Sequence, residues 1–446
     1  MELNEIIAND GPCECGKIHD SLLKKTVICE GALNKIPELV NEEGAKSVFM
    51  LADGNTYACA GAKTEELLKN AGIIVKKYVY PTKEVIEPDE KAVGSAVMHY
   101  ADCDMIVGVG SGVINDIGKI LAALTKKTYM IVGTAPSMDG YASATSSMAR
   151  DGLKVSLPSK CPDIVVGDLD VLCNAPMDMI RAGVGDMLAK YVSICEWRIA
   201  TILCGEYYCE KVANMVRTAL SDVVALAPKL MKRDKDAVKA VMNGMVLSGI
   251  AANYAGISRP VSGLEHYFSH VWDMRGLDKG TEVFLHGIQC GSATAEVARL
   301  YEYLKTVTPD KQKALAFARS FDVEKHNKAM LEFVGAGSIA MAEQEKKEGK
   351  YDVKMHAVRL EKIIDNWDKI LKIMDEETPS YAKIVEILEQ IGAPINASAL
   401  RKDNEEIAKT LIFSKDIRDK YVASRILWDL GITDEAIQAL YGYKAE

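Results

Sequence analysis

The sequence predicts an α/β domain with a parallel sheet, followed by a domain built only from helices. Over residues 1–175, short apolar runs rich in β-branched residues alternate with helical patterns, an order typical of a parallel sheet covered on both faces. After Pro176, long helical patterns dominate. A chain of 446 residues is also too long for one ordinary hydrophobic core. We therefore expect two domains, covering residues 1–175 and 176–446.

The individual elements follow from periodicity and from the flanking turns. The strand candidates are 47–52, 73–80, 104–108, 128–132 and 163–166. Helical patterns occupy 64–71 and 91–100 between the strands, and then 179–202, 209–230, 236–255 and most of the chain beyond Thr281. The sheet is therefore expected to lie entirely in the first domain.

Composition and charge exclude several classes of protein. Hydrophobic residues make up 48% and charged residues 26%, which is typical of a globular protein. The net charge of −9 is spread along the chain, without the basic block that nucleic acids or anionic membranes attract. Residues 1–17 lack the regions of a signal peptide, and no apolar run reaches the roughly 20 residues of a membrane helix. Eleven scattered cysteines indicate thiols in a reducing compartment.

These features together predict a cytoplasmic protein. We expect it to bind no nucleic acid and to have no membrane span.

A glycine-rich turn follows the strand predicted at 104–108. Gly108, Gly110 and Gly112 remove side chains where backbone would approach a phosphate, and the following helix offers unpaired N–H groups. The order departs from the dinucleotide fingerprint G-x-G-x-x-G, because the third glycine is misplaced and Asp116 follows instead. Taken alone, the motif fits a phosphate-binding turn and an empty strand-to-helix turn equally well.

A second loop, residues 133–143, follows the next predicted strand and is dense in small hydroxyl residues. In open parallel sheets, ligands bind beyond the carboxyl ends of the strands, where neighbouring loops converge. Two consecutive loops of this kind favour a ligand site. Asp53, after the strand at 47–52, is placed either to bind a ribose hydroxyl or simply to form a turn, and alone the turn is favoured.

A separate group of residues has the chemistry of a metal site. Three of the seven histidines fall between residues 266 and 286, and His266 and His270 share one helical face. Asp186 follows two glycines at the expected start of an apolar helix. Two imidazoles and one carboxylate are a common catalytic set for Zn²⁺ or a similar ion, with a fourth position open to substrate.

Structural alternatives exist for each residue: Asp186 as a helix N-cap, and each histidine as a polar residue between helices. With the two loops considered as well, the metal site is favoured.

Five segments carry a resemblance to a known family. They are GSGVINDIGK, GTAPSMDGYAS, GVGDMLAK, SRPVSGLEHYFSH and LHGIQCG, in that order. Together they resemble the superfamily of iron-dependent alcohol dehydrogenases, glycerol dehydrogenase and dehydroquinate synthase, and within it the bacterial sn-glycerol-1-phosphate dehydrogenases.

The resemblance implies a dehydroquinate synthase-like fold and reduction of dihydroxyacetone phosphate to sn-glycerol 1-phosphate in phospholipid biosynthesis. It also implies NAD(H) or NADP(H), one divalent metal (zinc, nickel or iron) and a homodimer or larger homo-oligomer.

The resemblance further assigns roles to individual residues. The cofactor would be bound by Asp53, Gly110, Ser111, Gly112, Val113, Ile114, Asn115, Asp116, Thr134, Ala135, Pro136, Ser137 and Ser143. The metal ligands would be Asp186, His266 and His286, which with His270 form the catalytic set. Asp139, Asp186 and His270 would contact the substrate. For the substrate phosphate we choose Arg259, which is close in sequence to the metal segment, with Lys279 as a second candidate.

Two positions narrow the choice within the superfamily. Lys190 stands where four-ligand iron alcohol dehydrogenases carry a histidine, which points to the three-ligand branch. Dehydroquinate synthases carry Glu in place of Asp186, so a dehydroquinate synthase is less favoured. The alternatives are a glycerol or other polyol dehydrogenase, a dehydroquinate synthase-like lyase and a catalytically silent binding protein.

Near the N-terminus, Cys13, Cys15 and His19 are soft ligands at tight spacing. They form either a small zinc site or a surface turn, and we do not include them in the metal set.

Overall fold

A computed structural model of the chain describes residues 3–8, 10–82, 85–150, 153–281 and 283–444. The chain divides into two compact units, each made of two segments. The first unit comprises Met1–Met187 and Lys211–Ile257, and the second comprises Leu188–Glu210 and Ser258–Glu446.

The first unit contains the strands. These are β1 (Gly11–Pro12), β2 (Ile18–His19), β3 (Lys25–Cys29), β4 (Ser47–Asp53), β5 (Ile74–Tyr80), β6 (Met105–Gly110), β7 (Thr128–Gly133), β8 (Thr145–Arg150), β9 (Leu153–Pro158) and β10 (Ile164–Asp168). Among the described residues, a parallel sheet of six strands has the order β3-β10-β7-β6-β4-β5. Two antiparallel pairs, β1 with β2 and β8 with β9, lie outside it. The predicted parallel sheet is confirmed; β3 and the two small pairs were not predicted.

Helices separate the strands and continue beyond them. They are α1 (Leu3–Ala8), α2 (Ile36–Glu42), α3 (Gly54–Thr56), α4 (Ala62–Asn70), α5 (Glu90–His99), α6 (Gly112–Thr125), α7 (Leu169–Leu172), α8 (Met177–Cys204), α9 (Glu210–Leu226) and α10 (Lys235–Ala255). A π-helix, Tyr57–Gly61, joins α3 to α4, and 3₁₀ turns occupy Ala32–Lys35 and Ala227–Lys232. Because α10 packs on α7, β2 and β3, it belongs to the first unit. The compact units divide after Met187, before Lys211 and after Ile257. The expected domain boundary at residue 175 stays a prediction.

One face of the sheet forms a core with the helices that cover it. Val107 and Val109 of β6 and Met130 of β7 share this core with Leu39 of α2 and Leu68 of α4. The alternation along each strand is the period of two that places every second side chain on the same face. All six residues of β6 are buried, as expected for a central strand of a sheet covered on both faces.

The strand order contains a reversal that positions a ligand site. From β4 the chain steps outward to β5 at one edge, whereas from β6 it steps through β7 to β10 in the other direction. The reversal therefore lies between β4 and β6, which are paired. Ligands of open parallel sheets bind beyond the carboxyl ends of the strands at such a reversal. Asp53 ends β4 and Gly110 ends β6, so both residues lie at this crevice.

The described residues of the second unit form helices and turns and contain no strand, as the sequence predicted. Beyond the end of α8, its helices are α11 (Leu264–Lys279), α12 (His286–Leu304), α13 (Lys311–Ser320), α14 (Val323–Val334), α15 (Gly337–Glu348), α16 (Val353–Asp365), α17 (Trp367–Glu377), α18 (Tyr381–Gln390), α19 (Asn404–Ser414), α20 (Ala423–Asp429) and α21 (Thr433–Tyr441). A 3₁₀ turn occupies Ala397–Leu400. Across the part of the chain that the structure covers, no helix has both the length and the apolar character to cross a bilayer.

A buried ionic network stabilises the second unit around Asp416, which is fully buried. Its carboxylate accepts a hydrogen bond from Tyr351 at 2.8 Å and contacts His326, Lys415 and Arg425 at 2.8, 3.2 and 3.0 Å. Burial would raise the pKa of this carboxyl, but Lys415, His326 and Arg425 outweigh burial and hold the pKa well below its usual value. The Asp416 carboxylate is therefore ionised and pairs with the buried cations Lys415 and Arg425.

Candidate functional site

The glycine turn between β6 and α6 is shaped first by internal packing. A Cβ atom on Gly110 would lie 2.5 Å from Cβ of Ile114, and one on Gly108 would lie 2.5 Å from the Tyr129 hydroxyl. Both glycines are therefore required by their neighbours whether or not a phosphate is present. The start of α6, after Ser111, still presents the unpaired N–H groups and positive dipole end that bind anions.

The second loop, residues 133–143, is attached to this turn by backbone and side-chain bonds. The Thr134 amide donates to the Gly110 carbonyl at 3.1 Å. From α6, the Asn115 side-chain amide donates to the Gly140 carbonyl at 3.2 Å. The turn and the loop thus form one continuous wall of the crevice, which we call the crevice wall.

Lys119 of α6 is the centre of this wall, although sequence reasoning did not single it out. It is fully buried, and its ammonium group lies 2.8 Å from the Asp116 carboxylate. The same group donates to the Gly140 carbonyl, the Ser143 hydroxyl and the Thr145 carbonyl at 3.2, 3.1 and 2.6 Å. Asp116 also accepts a bond from the Ser147 amide at 3.2 Å. Its carboxylate is therefore engaged within the protein, as the counter-ion of Lys119.

The first half of the second loop is fixed against its surroundings in the first unit. Tyr141 donates to the Ala135 carbonyl at 2.6 Å, and the Ser137 amide donates to that carbonyl at 3.0 Å. A Cβ atom on Gly183 of α8 would overlap the Pro136 carbonyl oxygen. Gly183 is therefore explained by the close approach of this loop to the helix.

The remaining predicted cofactor residues lie at the same crevice. Ser111, Gly112 and Val113 are half-buried at the start of α6, whereas Ile114 is buried beneath the turn. Asp53 caps α3, because its Oδ1 accepts bonds from the Asn55 and Thr56 amides at 2.8 and 2.9 Å. The expectation that it forms a turn is thereby met at the carboxyl end of β4.

Asp186 is fully buried within α8, and its Oδ2 accepts a bond from the Asp139 amide at 3.0 Å. The helix begins at Met177, so the alternative that Asp186 is an N-cap is wrong, as is its expected position at the start of a helix. The two glycines before it suggested a helix start, but Gly183 has the packing role described above. Asp139 is half-buried on the second loop.

In the second unit, His266, His286 and Cys290 form a possible metal-ligand group, which we call the histidine cluster. One ligand atom of each lies within 4.8 Å of those of the others. The rings of His266 and His286 are 5.0 Å apart, and Cys290 Sγ is 3.5 Å from His286 Nε2. Tetrahedral Zn²⁺ with its usual bond lengths would hold a sulfur and a nitrogen about 3.6 Å apart. The arrangement therefore suits a divalent ion.

Cys290 was missed by the sequence analysis. Its signal was the spacing of four residues after His286, which places both side chains on one face of α12. His270, which was predicted, is half-buried, and its ring lies 6.2 Å from that of His286.

Second partners orient the imidazoles of the cluster. Glu265 Oε1 lies 2.8 Å from His266 Nδ1, and the Ser269 hydroxyl lies 3.1 Å from His286 Nδ1. Such bonds leave the other ring nitrogen for a ligand. Burial raises the pKa of Glu265 to about 7. Burial, together with the nearby charge of Glu265, also raises the pKa of Glu196 to about 8. The Oε2 atom of Glu265 is buried without a hydrogen-bond partner.

Two cationic residues of the second unit are already engaged. Arg259 is buried, forms an ion pair with Glu206 and donates to the Tyr421 carbonyl at 2.9 Å. Lys190 is fully buried and donates to the Val261 carbonyl at 2.8 Å. The role of Arg259 in binding a substrate phosphate stays a prediction.

Comparison with known proteins agrees with this architecture. The model of the iron-containing alcohol dehydrogenase family matches residues 27–176. The chain is 34% identical over 294 residues to a glycerol-1-phosphate dehydrogenase (NAD(P)+) of Halalkalibacterium halodurans, covering 65% of this chain and 74% of that one. It is 26% identical over 426 residues to one of Bacillus licheniformis, covering 95% and 93%.

Among solved structures, a probable glycerol dehydrogenase from Sinorhizobium meliloti has the same fold. The TM-score is 0.59 at 15% identity, over 94% of this chain and 97% of that one.

Proposed function

The chain belongs to the glycerol-1-phosphate dehydrogenase family, and from this premise we propose that it reduces dihydroxyacetone phosphate to sn-glycerol 1-phosphate. NADH or NADPH would be the reductant and one divalent cation would assist. The observation that carries the proposal is the histidine cluster, in which two imidazoles and a thiol come together in a helical unit. We place the dinucleotide at the crevice between β4 and β6.

The donor set supports a bound cation. We propose that His266, His286 and Asp186 hold it, as the sequence predicted. Nitrogen and carboxylate donors suit Zn²⁺, Ni²⁺ and Fe²⁺, and the Cys290 sulfur beside His286 favours the softer of these ions. Glu265 and Ser269 would fix the two imidazoles in the orientation that presents Nε2.

When bound, the cation polarises a carbonyl group as a Lewis acid and the dinucleotide supplies a hydride. The chain itself would then position the substrate and manage the proton. His270, half-buried on α11 near His286, would deliver the proton to the reduced oxygen. Asp139 would orient a substrate hydroxyl from the second loop.

The dinucleotide would lie along the crevice wall. Its pyrophosphate would meet residues 110–116 at the start of α6, and the nicotinamide would contact residues 134–137 and Ser143. Both capping bonds of Asp53 engage Oδ1, which leaves Oδ2 for a ribose hydroxyl. A carboxylate at this place favours NADH over NADPH, because it repels the 2′-phosphate.

Arg259 remains our candidate for the substrate phosphate. Since its guanidinium is paired with Glu206, a phosphate would have to replace that carboxylate as its partner. Replacing Arg259 with lysine, which keeps the charge but loses the forked geometry, tests this assignment through the KM for the phosphorylated substrate.

The substrate assignment is tested by initial rates with metal-reconstituted protein on dihydroxyacetone and on its phosphate, with each cofactor. A site built for the phosphate should prefer the phosphorylated substrate by at least about 100-fold in kcat/KM, which corresponds to about 2.7 kcal/mol. Addition of EDTA should abolish the activity, and one added metal equivalent should restore it.

Each other outcome selects a different function. Equal rates on the two substrates would indicate a polyol dehydrogenase. Dinucleotide binding without net oxidation, but with carbon–oxygen cleavage of an added substrate, would indicate a lyase. Binding without any turnover would indicate a silent homologue.

Replacing Asp116 with alanine should weaken the binding of the dinucleotide by about 10-fold, which corresponds to about 1.4 kcal/mol. The change removes the counter-ion of buried Lys119 and so loosens the crevice wall. Fluorescence titration with NADH measures the affinity, and metal analysis of the same sample should show unchanged content. Asp102→Ala, which alters an exposed carboxylate of the first unit, is the matched control. Equal loss of cofactor and metal binding would indicate that Asp116 serves the whole fold instead.

We further propose a cytoplasmic location and a homodimer or larger homo-oligomer. None of the eleven cysteines, all of which lie in the described part of the chain, is in a disulfide, which suits a reducing compartment. Apolar side chains of the second unit are exposed on α14, α15 and α16, among them Leu331, Ile339 and Val358. Such residues suit a subunit interface. Light scattering on purified protein measures the assembly directly.

A further inference from the structure

The N-terminal hairpin, formed by β1, β2 and the turn between them, gathers three soft ligands in the first unit. Cys13, Cys15 and His19 each offer one ligand atom, and these atoms lie within 4.8 Å of one another. Cys15 Sγ is 3.6 Å from His19 Nε2. This separation equals the distance of about 3.6 Å that tetrahedral Zn²⁺ would impose on a sulfur and a nitrogen.

The backbone of the hairpin holds this arrangement without the ion. β1 pairs with β2 so that Gly11 lies opposite His19. The Cys13 amide donates to the Lys17 carbonyl at 3.0 Å, and the Gly16 amide donates to the Cys13 carbonyl at 2.9 Å. Gly16 has a φ of 87°, which favours glycine, so the tight turn between the cysteines and the histidine is fixed by sequence.

The tautomer of His19 is set by its surroundings. Its Nδ1 lies 3.0 Å from the Tyr254 carbonyl, which can only accept, so Nδ1 carries the proton. Nε2 is then the atom with a lone pair, and it is the one beside Cys15. A histidine whose other nitrogen donates to a carbonyl is the usual arrangement of a zinc ligand. His19 is also fully buried, and its ring stacks on Tyr254 at 4.9 Å.

From these observations we infer that Cys13, Cys15 and His19 bind a structural Zn²⁺ ion, separate from the proposed catalytic ion. Two thiolates and one neutral imidazole balance the charge of the cation and supply three of its four ligands. The fourth position is left for water or for a further thiolate. On binding, each thiol releases its proton to solvent, and no redox change occurs.

The site would fasten the N-terminal hairpin to α10. His19 bonds the Tyr254 carbonyl and the Lys17 ammonium donates to the Ala255 carbonyl at 2.7 Å, both at the last turn of that helix. A hairpin of two-residue strands has little stability of its own. The ion would therefore stabilise a segment that otherwise rests on these few bonds.

The experiment uses the full chain with Cys290→Ser, because Cys290 is the cysteine of the proposed catalytic cluster. Titration with Co²⁺ should give a thiolate-to-metal charge-transfer band in the near ultraviolet. Further replacement of Cys13 or Cys15 by serine should remove the band and one metal equivalent per chain. His286→Ala should remove the other equivalent and leave the band. Cys59→Ser, at an exposed cysteine of the first unit, is the matched control and should change neither.

The intensity of the band reports the number of thiolates bound to Co²⁺. Two bound thiolates, or three if a further thiolate takes the fourth position, would support the site. No band in the Cys290→Ser protein, or a band and metal content unchanged by Cys15→Ser, would overturn the inference. If the cysteine variants fail to fold, the same band in the Cys290→Ser protein, and protection of two thiols by Zn²⁺ against a chromogenic thiol reagent, still decide the question. If the protein had no dehydrogenase activity but did have the zinc site, the band would still appear. The experiment therefore distinguishes failure of the proposed zinc site from failure of the proposed function.

Discussion

Replacing His266 with alanine should lower kcat/KM by at least about 1000-fold, or about 4 kcal/mol, and remove the catalytic metal equivalent. His266 belongs to the histidine cluster, and Glu265 contacts its Nδ1, so that Nε2 would be the atom that binds the proposed cation. Without this imidazole, only Asp186 and His286 remain of the three proposed ligands. Because the proposed cofactor residues lie in the first unit, NADH binding should be retained.

Steady-state kinetics and metal analysis on the same preparation measure both effects. His99→Ala is the matched control, since His99 is exposed on α5 of the first unit. His286→Ala, which removes the other imidazole of the cluster, should cause the same loss of kcat/KM and of the catalytic metal equivalent. A His266→Ala protein that keeps full metal content and activity would contradict the proposed centre. A protein that loses its cooperative unfolding transition would show instead that His266 is needed for folding.

Replacing Asp416 with alanine should destabilise the second unit by about 3–5 kcal/mol, which is typical of breaking a buried ion pair from one side. The change leaves Lys415 and Arg425 buried beside His326 without their anion. Burial already lowers the pKa of Lys415 to about 8, with Arg425 adding to the effect, so Asp416 is what favours its charged form.

Tryptophan fluorescence during urea unfolding measures this effect selectively. All four tryptophans, at positions 197, 272, 367 and 428, belong to the second unit. Asp375→Ala is the matched control, because Asp375 is an exposed partner of Lys305 and such pairs contribute within about 1 kcal/mol. A change below about 1 kcal/mol at Asp416 would show that the network relaxes or admits water.

The sequence predicted the sheet well where strands are continuous apolar runs. β4, β6 and β7 are buried along nearly their whole length, so their composition alone identified them. β3 was missed because it is a five-residue edge strand with alternating burial. β8 and β9 were missed because β8 is rich in serine and small residues, and only their pairing defines them.

The candidate site was predicted at the level of motifs but not of contacts. The glycines at 108 and 110 were assigned to ligand approach, whereas Tyr129 and Ile114 already require them. Lys119 gave no sign of a special role, because its partners Ser143 and Thr145 lie more than 20 residues away, on the second loop and in β8. Such long-range polar contacts have no local signature in the sequence.

The bonds of Lys119 bear on how the crevice would receive a dinucleotide. Because the Lys119 ammonium bonds the second loop and the start of β8, the crevice wall is held together before any ligand arrives. The conformational entropy of these loops is therefore lost when the protein folds and not when the dinucleotide binds, which means that the crevice wall is preorganised. Cofactor capture should therefore proceed with little rearrangement of the first unit.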